Sequence, residues 1–410
     1  MKVPGIVLMI LFAAGGCSAT TWQVGEGYAF ASIQQAIEVA NLNDTVLVHG
    51  GHYAEGNILI TRPVSIIGLD YPELDGQNTY EIMTVACSKV LIRGFRFYNG
   101  GRMDTQEIAA IKVLDGRHVR IEENQIYGCN FGIYLSSSDS CTVLCNDIYG
   151  STLGEQQSGN GIHLWKCSGM LIQENYISGH RDGIYFEFVN ASGIHSNCSE
   201  NNIRYGLHFM FSHSDDYTWN LFQNNGSGVA VMYSRKVNMY QNTFNHNWGS
   251  ASYGLLIKDI SDSHIWANHF ESNSAAICLE GASRVLMEEN NFLSNGWALR
   301  VQASCDANTI RANNFYANSF DVSTNGSLVL NTFDGNYWDK YEGYDLDKDG
   351  LGDIPYRPVS LYAMVVEQMP YGLMLMRSFM VYLLDRSEKI VPSLTPENLI
   401  DNRPLMHPIS

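Results

Sequence analysis

From about residue 120 onward, two short patterns of apolar and polar positions alternate along the chain. One is glycine followed by an apolar–any–apolar triplet: "GIYL" at Gly132, "GIHL" at Gly161, "GIYF" at Gly183, "GLHF" at Gly206, "GVAV" at Gly228 and "GLLI" at Gly254, fading to "AICL" at Ala276. Successive starts are 29, 22, 23, 22, 26 and 22 residues apart. The other is Asn, any residue, then Ile or Phe, beginning at Asn124, Asn146, Asn175, Asn201, Asn220, Asn242, Asn268, Asn290, Asn313 and Asn331. Two interleaved signals with one period indicate a solenoid in which each coil buries its apolar face only by stacking on its neighbours. The apolar runs are too short for helices, and Asn or Gly marks each corner. An all-β, right-handed parallel β-helix is therefore expected, with corner asparagines laddering their amides between coils.

Upstream, "FASIQQAIEVANLNDTVLVHGGHY" sets Ile33, Ala36, Ile37 and Ala40 at helical spacing before an apolar strand after Asp44 and Thr45, which predicts an N-terminal capping helix. The chain then divides into a leader at 1–17, an N-terminal cap and first coil at 20–60, β-helix coils at 61–335, an acidic Asp/Gly loop at 336–357, and a C-terminal helical cap or docking segment at 358–410.

Strand alternation sorts the side chains by face. In "GLHFMFSHSDD", Leu207, Phe209 and Phe211 are expected inside, and His208, Met210 and Ser212 outside. Aligning coils by their glycines puts Tyr134, His163, Tyr185, His208, Ala230, Leu256 and Cys278 in one outward row; Ser136, Trp165, Glu187, Met210, Met232, Lys258 and Glu280 form a second. Within one strand His208 and Met210 are then about 6.6 Å apart at Cα, and Met210 and Met232 about 4.8 Å apart on adjacent coils. That is ligand distance. Imidazole with thioethers is a borderline-to-soft donor set that selects Cu(I) over zinc, calcium or magnesium. His213, just past the strand, is a fourth candidate, while His163, two coils from His208, reads as an isolated surface residue. The competing reading is that these side chains pack under a loop or a partner protein.

Composition narrows the function further. The 410-residue chain has 37 glycines, 10 prolines and only 16% charged residues, which suits many short turns between strands. Its net charge of −17 argues against nucleic acid as a partner. Lys2, an apolar run from Ile6 to Ala14 and small residues before Cys17 read as an export leader. Cys17 resembles a lipobox cysteine, with Ala14 where leucine is commoner, so the expectations are a lipid anchor on Cys17 or plain cleavage near Ala19. The other eight cysteines show no CxxC and no regular spacing, which argues against a zinc site or a dense disulfide framework.

Many β-helices of this kind cleave acidic polysaccharides as lyases or glycoside hydrolases, and that chemistry wants paired carboxylates, or calcium-binding carboxylates beside a base, on one outward face. The two outward rows offer Glu187 among tryptophan, histidine and methionine at their centre, and Asp215 and Asp216 fall at a corner, where a solvated turn is expected. Metal handling is favoured over glycan cleavage. Near the end, "DLDKDGLGD" spaces Asp345, Asp347, Asp349 and Asp353 around Gly350 as in a calcium loop, although Tyr356 stands where a bidentate glutamate belongs. The apolar segment 359–385 holds Met364, Met369, Met374, Met376 and Met380. Glu367, Gln368, Pro370 and Arg377 interrupt it too often for a membrane span. Amphipathic helices around a break at Pro370 are expected, serving as a cap, a docking surface for a membrane partner, or both.

The stretch "RYGLHFMFSHSDDYTWNLFQNNGSGVAVMYSRKVNMYQNTFNHNWGSASYGLLIKDISDS", with "GNYWDKYEGYDLDKDGLGDIPYRPVSL" from Gly335 and "GHYAEGNILITRPVSIIGLD" near the N-terminus, resembles the NosD family of nitrous oxide reductase maturation proteins. The resemblance covers nearly the whole mature chain. It implies a non-catalytic periplasmic β-helix that works with an ABC transporter to supply copper during assembly of the copper centres of nitrous oxide reductase. It further implies handover from a small copper lipoprotein, docking on both permease and apo-reductase, and membrane association through these partners.

Overall fold

The computed structural model describes residues 19–103, 105–151, 154–326, 330–390 and 399–409. The expected leader and Cys17 lie outside the described residues. The chain winds as a parallel solenoid whose coils each place a strand in three long sheets, of 12, 14 and 13 strands among the described residues. The glycine-triplet strands stack into the 12-stranded sheet, with Ile184, Leu207, Val229 and Leu255 in register on successive coils. The all-β solenoid that the spacing predicts is thus the observed fold.

Its interior is a column of like on like. Phe222, Phe244, Phe270, Phe292, Phe315 and Trp338 stack with successive centroids 5.5, 4.5, 5.2, 4.7 and 4.1 Å apart, and all are at most 1% exposed. Beside it runs an amide ladder through Asn124, Asn146, Asn175, Asn197, Asn220, Asn242, Asn268, Asn290, Asn313 and Asn336. Each Nδ2 donates to the Oδ1 one coil on at 2.9–3.0 Å. Most rungs also donate to the carbonyl two residues back, as Asn242 does to Tyr240. Buried amides with every group engaged stabilise and specify the coil register, because a slip would leave them unpaired. Two of the asparagines predicted at these corners, Asn201 and Asn331, are off this column. Asn197 takes the place of Asn201, and Asn331 ladders with Asn308 instead.

Both ends are covered. At the start, α1 (Ile33–Val39) buries Ile33, Ala36 and Ile37. Its N-terminus is capped by Ser32, which accepts from Gln35, and by Glu55, whose carboxylate accepts from the backbone N–H of Ile33 at 2.7 Å and of Gln34 at 3.0 Å. At the far end the tail returns, and Leu399 and Asp401 are fully buried. Asp401 accepts from Asn336 N and Nδ2, from Trp338 Nε1 and from Gly335 N, at 2.9–3.1 Å, so a carboxylate closes the amide ladder. The predicted C-terminal helices are α2 (Leu361–Gln368) and α3 (Phe379–Ile390), joined by a 3-10 turn at Pro370–Leu375 that ends α2 near Pro370, as expected. Tyr362, Ala363 and Val366 of α2 pack on Phe320, the last of an outward aromatic pair with Trp297. No helix among the described residues is long and apolar enough to cross a membrane.

Three local expectations are corrected. Phe211 faces solvent and Ser212 is the buried residue, because the strand ends at Met210 and Phe211 takes a left-handed conformation with φ 50°, which reverses the alternation. Ser212 then accepts from Val189 N and donates to Met210 O inside the corner. Asp215 is fully buried and not a solvated turn; its Oδ1 accepts from Ser192 N, and burial pushes its carboxyl up to about 8. His163 is buried too, with Asn160 Nδ2 3.1 Å from its Nδ1, and burial beside Arg181 pushes its pKa down to about 3.

A candidate metal site on the outer face

The outer face of the 12-stranded sheet carries three rows of side chains, one more than alternation predicts. The cause is the glycine. At Gly206 an added Cβ would sit 2.8 Å from both Asn225 Nδ2 and Gly228 O, so this residue turns in against the corner and only glycine fits. Pairing skips it: Tyr205 aligns with Ser227 and the ladder resumes at Leu207 with Val229. The residue before each glycine therefore joins the face, which places Asp182, Tyr205 and Ser227 in a third row. The other two rows are those expected, with Tyr185, His208 and Ala230 aligned and Glu187, Met210, Met232 and Lys258 aligned.

His208 is 4% exposed. Its ring lies edge-on to Tyr185 at 5.0 Å and tilted against Tyr205 at 4.8 Å, and its Nδ1 is 3.6 Å from Asp182 Oδ2. Met210, half-buried, has its sulfur 3.5 Å from the hydroxyl of Tyr185, which also lies 3.3 Å from Glu187 Oε2. Burial and the Glu187 charge push the Tyr185 phenol up to about 12, so it remains a donor at neutral pH. Met232 pairs in register with Met210 and packs on the outer apolar cluster of Ala230, Leu256 and Cys278. His208, Met210 and Met232 are thus brought onto one face. His213 stands around the corner, bridged to Asn190 and Arg235, half-buried, with its pKa lowered by desolvation and by Arg235.

Next to the methionines runs an exposed aromatic ladder, Phe188, Phe211 and Tyr233, stacked at 5.3 and 5.0 Å. The chemistry open to this face is soft-metal coordination: thioethers contribute no acid or base. Of the carboxylates near them, Asp182 faces His208 and Glu187 faces Tyr185.

Two other predicted features are placed as follows. Carboxylate oxygens of Asp345, Asp347 and Asp349 lie within 4.8 Å of one another. Asp345 accepts from Lys348 N at 2.6 Å and Gly350 N at 2.9 Å, and the Asp349 charge raises the pKa of Asp347. Asp353 turns to the backbone N–H of Leu346 at 2.6 Å. On the C-terminal segment Tyr371 is 88%, Met374 87% and Phe379 73% exposed, with Met369 and Met380 also exposed. These side chains form an exposed apolar surface among the described residues. The eight described cysteines are all unpaired, and Cys129, Cys141, Cys167, Cys278 and Cys305 are buried.

Sequence reasoning missed Asp182, because the residues before the repeat glycines, such as Asn160, Asp182, Tyr205 and Ser227, share no type and strand alternation assigns that position to the inner face.

Comparison with known proteins places the chain in a family. The family described as periplasmic copper-binding protein (NosD) matches residues 146–343, which include all three residues. The chain is 32% identical over 377 residues to a Pseudomonas aeruginosa protein named "Probable ABC transporter binding protein NosD", covering 87% of this chain and 86% of that one. It is 27% identical to the protein of the same name from Stutzerimonas stutzeri, covering 87% and 85%. Among solved structures, it resembles the catalytic unit of an α-1,3-glucanase from Streptomyces thermodiastaticus (TM-score 0.61, 14% identity, 75% of this chain and 65% of that one). It also resembles PfbA, a surface adhesin of Streptococcus pneumoniae (TM-score 0.56, 11% identity, 74% and 86%). At such identities the likeness is one of fold alone. The relatives aligned over most of their length are named as binding proteins, and the chain belongs to the NosD family of periplasmic copper-binding proteins.

Proposed function

We propose that the chain binds Cu(I) on the outer face of its glycine-repeat sheet through His208, Met210 and Met232, and passes it on while working with an ABC transporter. The observation that supports this most is the in-register pairing of Met210 and Met232, two residues along the same face from His208. His213 joins only by swinging around the corner. Copper is cargo, received from a copper-chaperone lipoprotein and destined for the copper centres of nitrous oxide reductase. The exposed apolar segment around Met369, Tyr371, Met374, Phe379 and Met380 docks on the permease and holds the chain at the membrane, with the ATPase on the far side. A lipid on Cys17 would add a second attachment.

The Asp345, Asp347 and Asp349 cluster is proposed to take calcium with help from Asp353; calcium-dependent thermal stability that EDTA abolishes tests it. The reading is non-catalytic. The alternative, glycan cleavage by a fold shared with glycoside hydrolases, is tested by turnover of uronate polymers, and any turnover overturns the proposal.

The deciding experiment is Cu(I) loading of purified protein under reducing conditions with a competing chromophoric chelator. One equivalent bound by the native chain, and weakened at least about tenfold in the His208→Ala, Met210→Ala double variant, is expected. Unchanged binding in that variant would sink the site.

A further inference from the structure

Asp182 is a fully buried carboxylate, and neither of its oxygens has a hydrogen-bond partner among the described residues. Both ring nitrogens of His208, itself almost fully buried, are likewise without one among those residues. The two meet across adjacent coils, with Nδ1 3.6 Å from Oδ2, a few tenths of an ångström beyond a hydrogen bond. Arg181 Nε lies 3.7 Å from the same Oδ2. Arg204, whose pKa burial would lower, is held above its ordinary value by the Asp182 charge among others. The carboxylate is thus balanced by two guanidinium groups, and of the imidazole's two nitrogens Nδ1 is the one that faces it.

We infer that Asp182 is the positioning residue of His208, holding its proton on Nδ1 and so presenting the lone pair of Nε2 as the donor atom. A buried imidazole with no other partner takes whichever tautomer its surroundings favour, and an acceptor facing Nδ1 decides it. A carboxylate behind a ligating histidine also fixes the ring's orientation and raises its basicity toward a metal. Tyr185 and Tyr205, packed on the ring, restrict its rotation. The tautomer does not depend on a metal. That Nε2 serves as a ligand rests on the copper reading above.

The test is long-range 1H–15N NMR of the metal-free, 15N-labelled full mature chain, with the His208 signal assigned by loss in His208→Gln. The expected spectrum, recorded at about pH 9, above the ordinary imidazole range, shows the ring proton on Nδ1, and in Asp182→Ala a shift of population toward the Nε2-protonated form. An Nε2-protonated ring in the native chain, or the same tautomer in Asp182→Ala, overturns the inference. Because Asp182→Ala removes the carboxylate beside Arg181 and leaves Arg204 only Glu155, the native spectrum decides on its own should that variant not fold. Titration with Cu(I) gives the second readout: about 10- to 100-fold weaker binding in Asp182→Ala, largely restored in Asp182→Glu. Equal affinities in native and Asp182→Ala chains overturn the positioning role. A native chain that is protonated on Nδ1 but binds no Cu(I) supports the Asp182–His208 pairing and overturns the copper reading.

Discussion

The hydroxyl of Tyr185 sits 3.5 Å from the sulfur of Met210 and 3.3 Å from Glu187 Oε2. It therefore competes with any metal for the thioether lone pair, and it tethers Met210 toward the Glu187 side of the row. Tyr185→Phe removes the donor while keeping the ring between His163 and His208. Cu(I) affinity should rise by about fivefold, the equivalent of one modest hydrogen bond, with little change in melting temperature. Chelator competition on both proteins checks it; a fall in affinity would mean that the hydroxyl helps hold the site together.

Met210→Leu nearly conserves volume on a half-buried position, so it should cost less than about 1.5 kcal/mol of stability. Copper retention should drop by at least about tenfold, since a branched alkyl group offers no lone pair. Denaturant titration and metal analysis separate the two effects, and a variant that melts normally but still retains copper would remove Met210 from the ligand set.

Asp215 makes stability depend on pH with a definite sign. Burial raises its carboxyl from 3.8 to about 8. The folded chain therefore prefers the protonated form, and stability, full below about pH 4, declines as pH rises toward 8. Asp215→Asn keeps the acceptor for Ser192 N and removes the charging cost. It should flatten that decline and stabilise the chain by up to about 3 kcal/mol at pH 7. Urea titrations of both proteins at pH 4.5, 6 and 8 read this out. Parallel curves would show that Asp215 is ionised at no cost.

Asp401→Ala strips the acceptor from Asn336 N and Nδ2, Trp338 Nε1 and Gly335 N at once. Donors left unpaired at a buried end should cost about 3 kcal/mol, with the last coil losing hydrogen-exchange protection first. Protection lost evenly along the chain would contradict a local cap.

The rows on the outer face were legible because a solenoid repeats its geometry: aligning glycines aligns Tyr185 with His208 and Met210 with Met232. What the spacing does not reveal lies where the strand rule stops. Alternation says nothing past Met210, where a left-handed Phe211 exchanges the faces of Phe211 and Ser212. Nor does it say that Gly206 turns inward, which promotes the preceding position and brings Asp182 up to His208. Burial of Asp215 occurs at a corner, one coil from Ser192, and the return of Asp401 to Asn336 comes from a tail with no repeat signature of its own. The strip of Phe188, Phe211 and Tyr233 was hidden for the same reason, since each occupies a corner where apolar residues are unexpected.

The amide ladder is directional. Each Asn Nδ2 reaches a carbonyl of the coil before, as in Asn242 to Tyr217, but its bond to another side-chain amide always runs to the Oδ1 of the next coil, so the side-chain stack has an acceptor-hungry C-terminal end. A further asparagine would only move that end outward by one coil, whereas a carboxylate, having no proton to donate, stops it. Asp401 thus works as a chain terminator: the solenoid can grow or shrink by whole coils between its ends, but it offers no rung for a second molecule to continue, which keeps such a regular stack from propagating into a fibre.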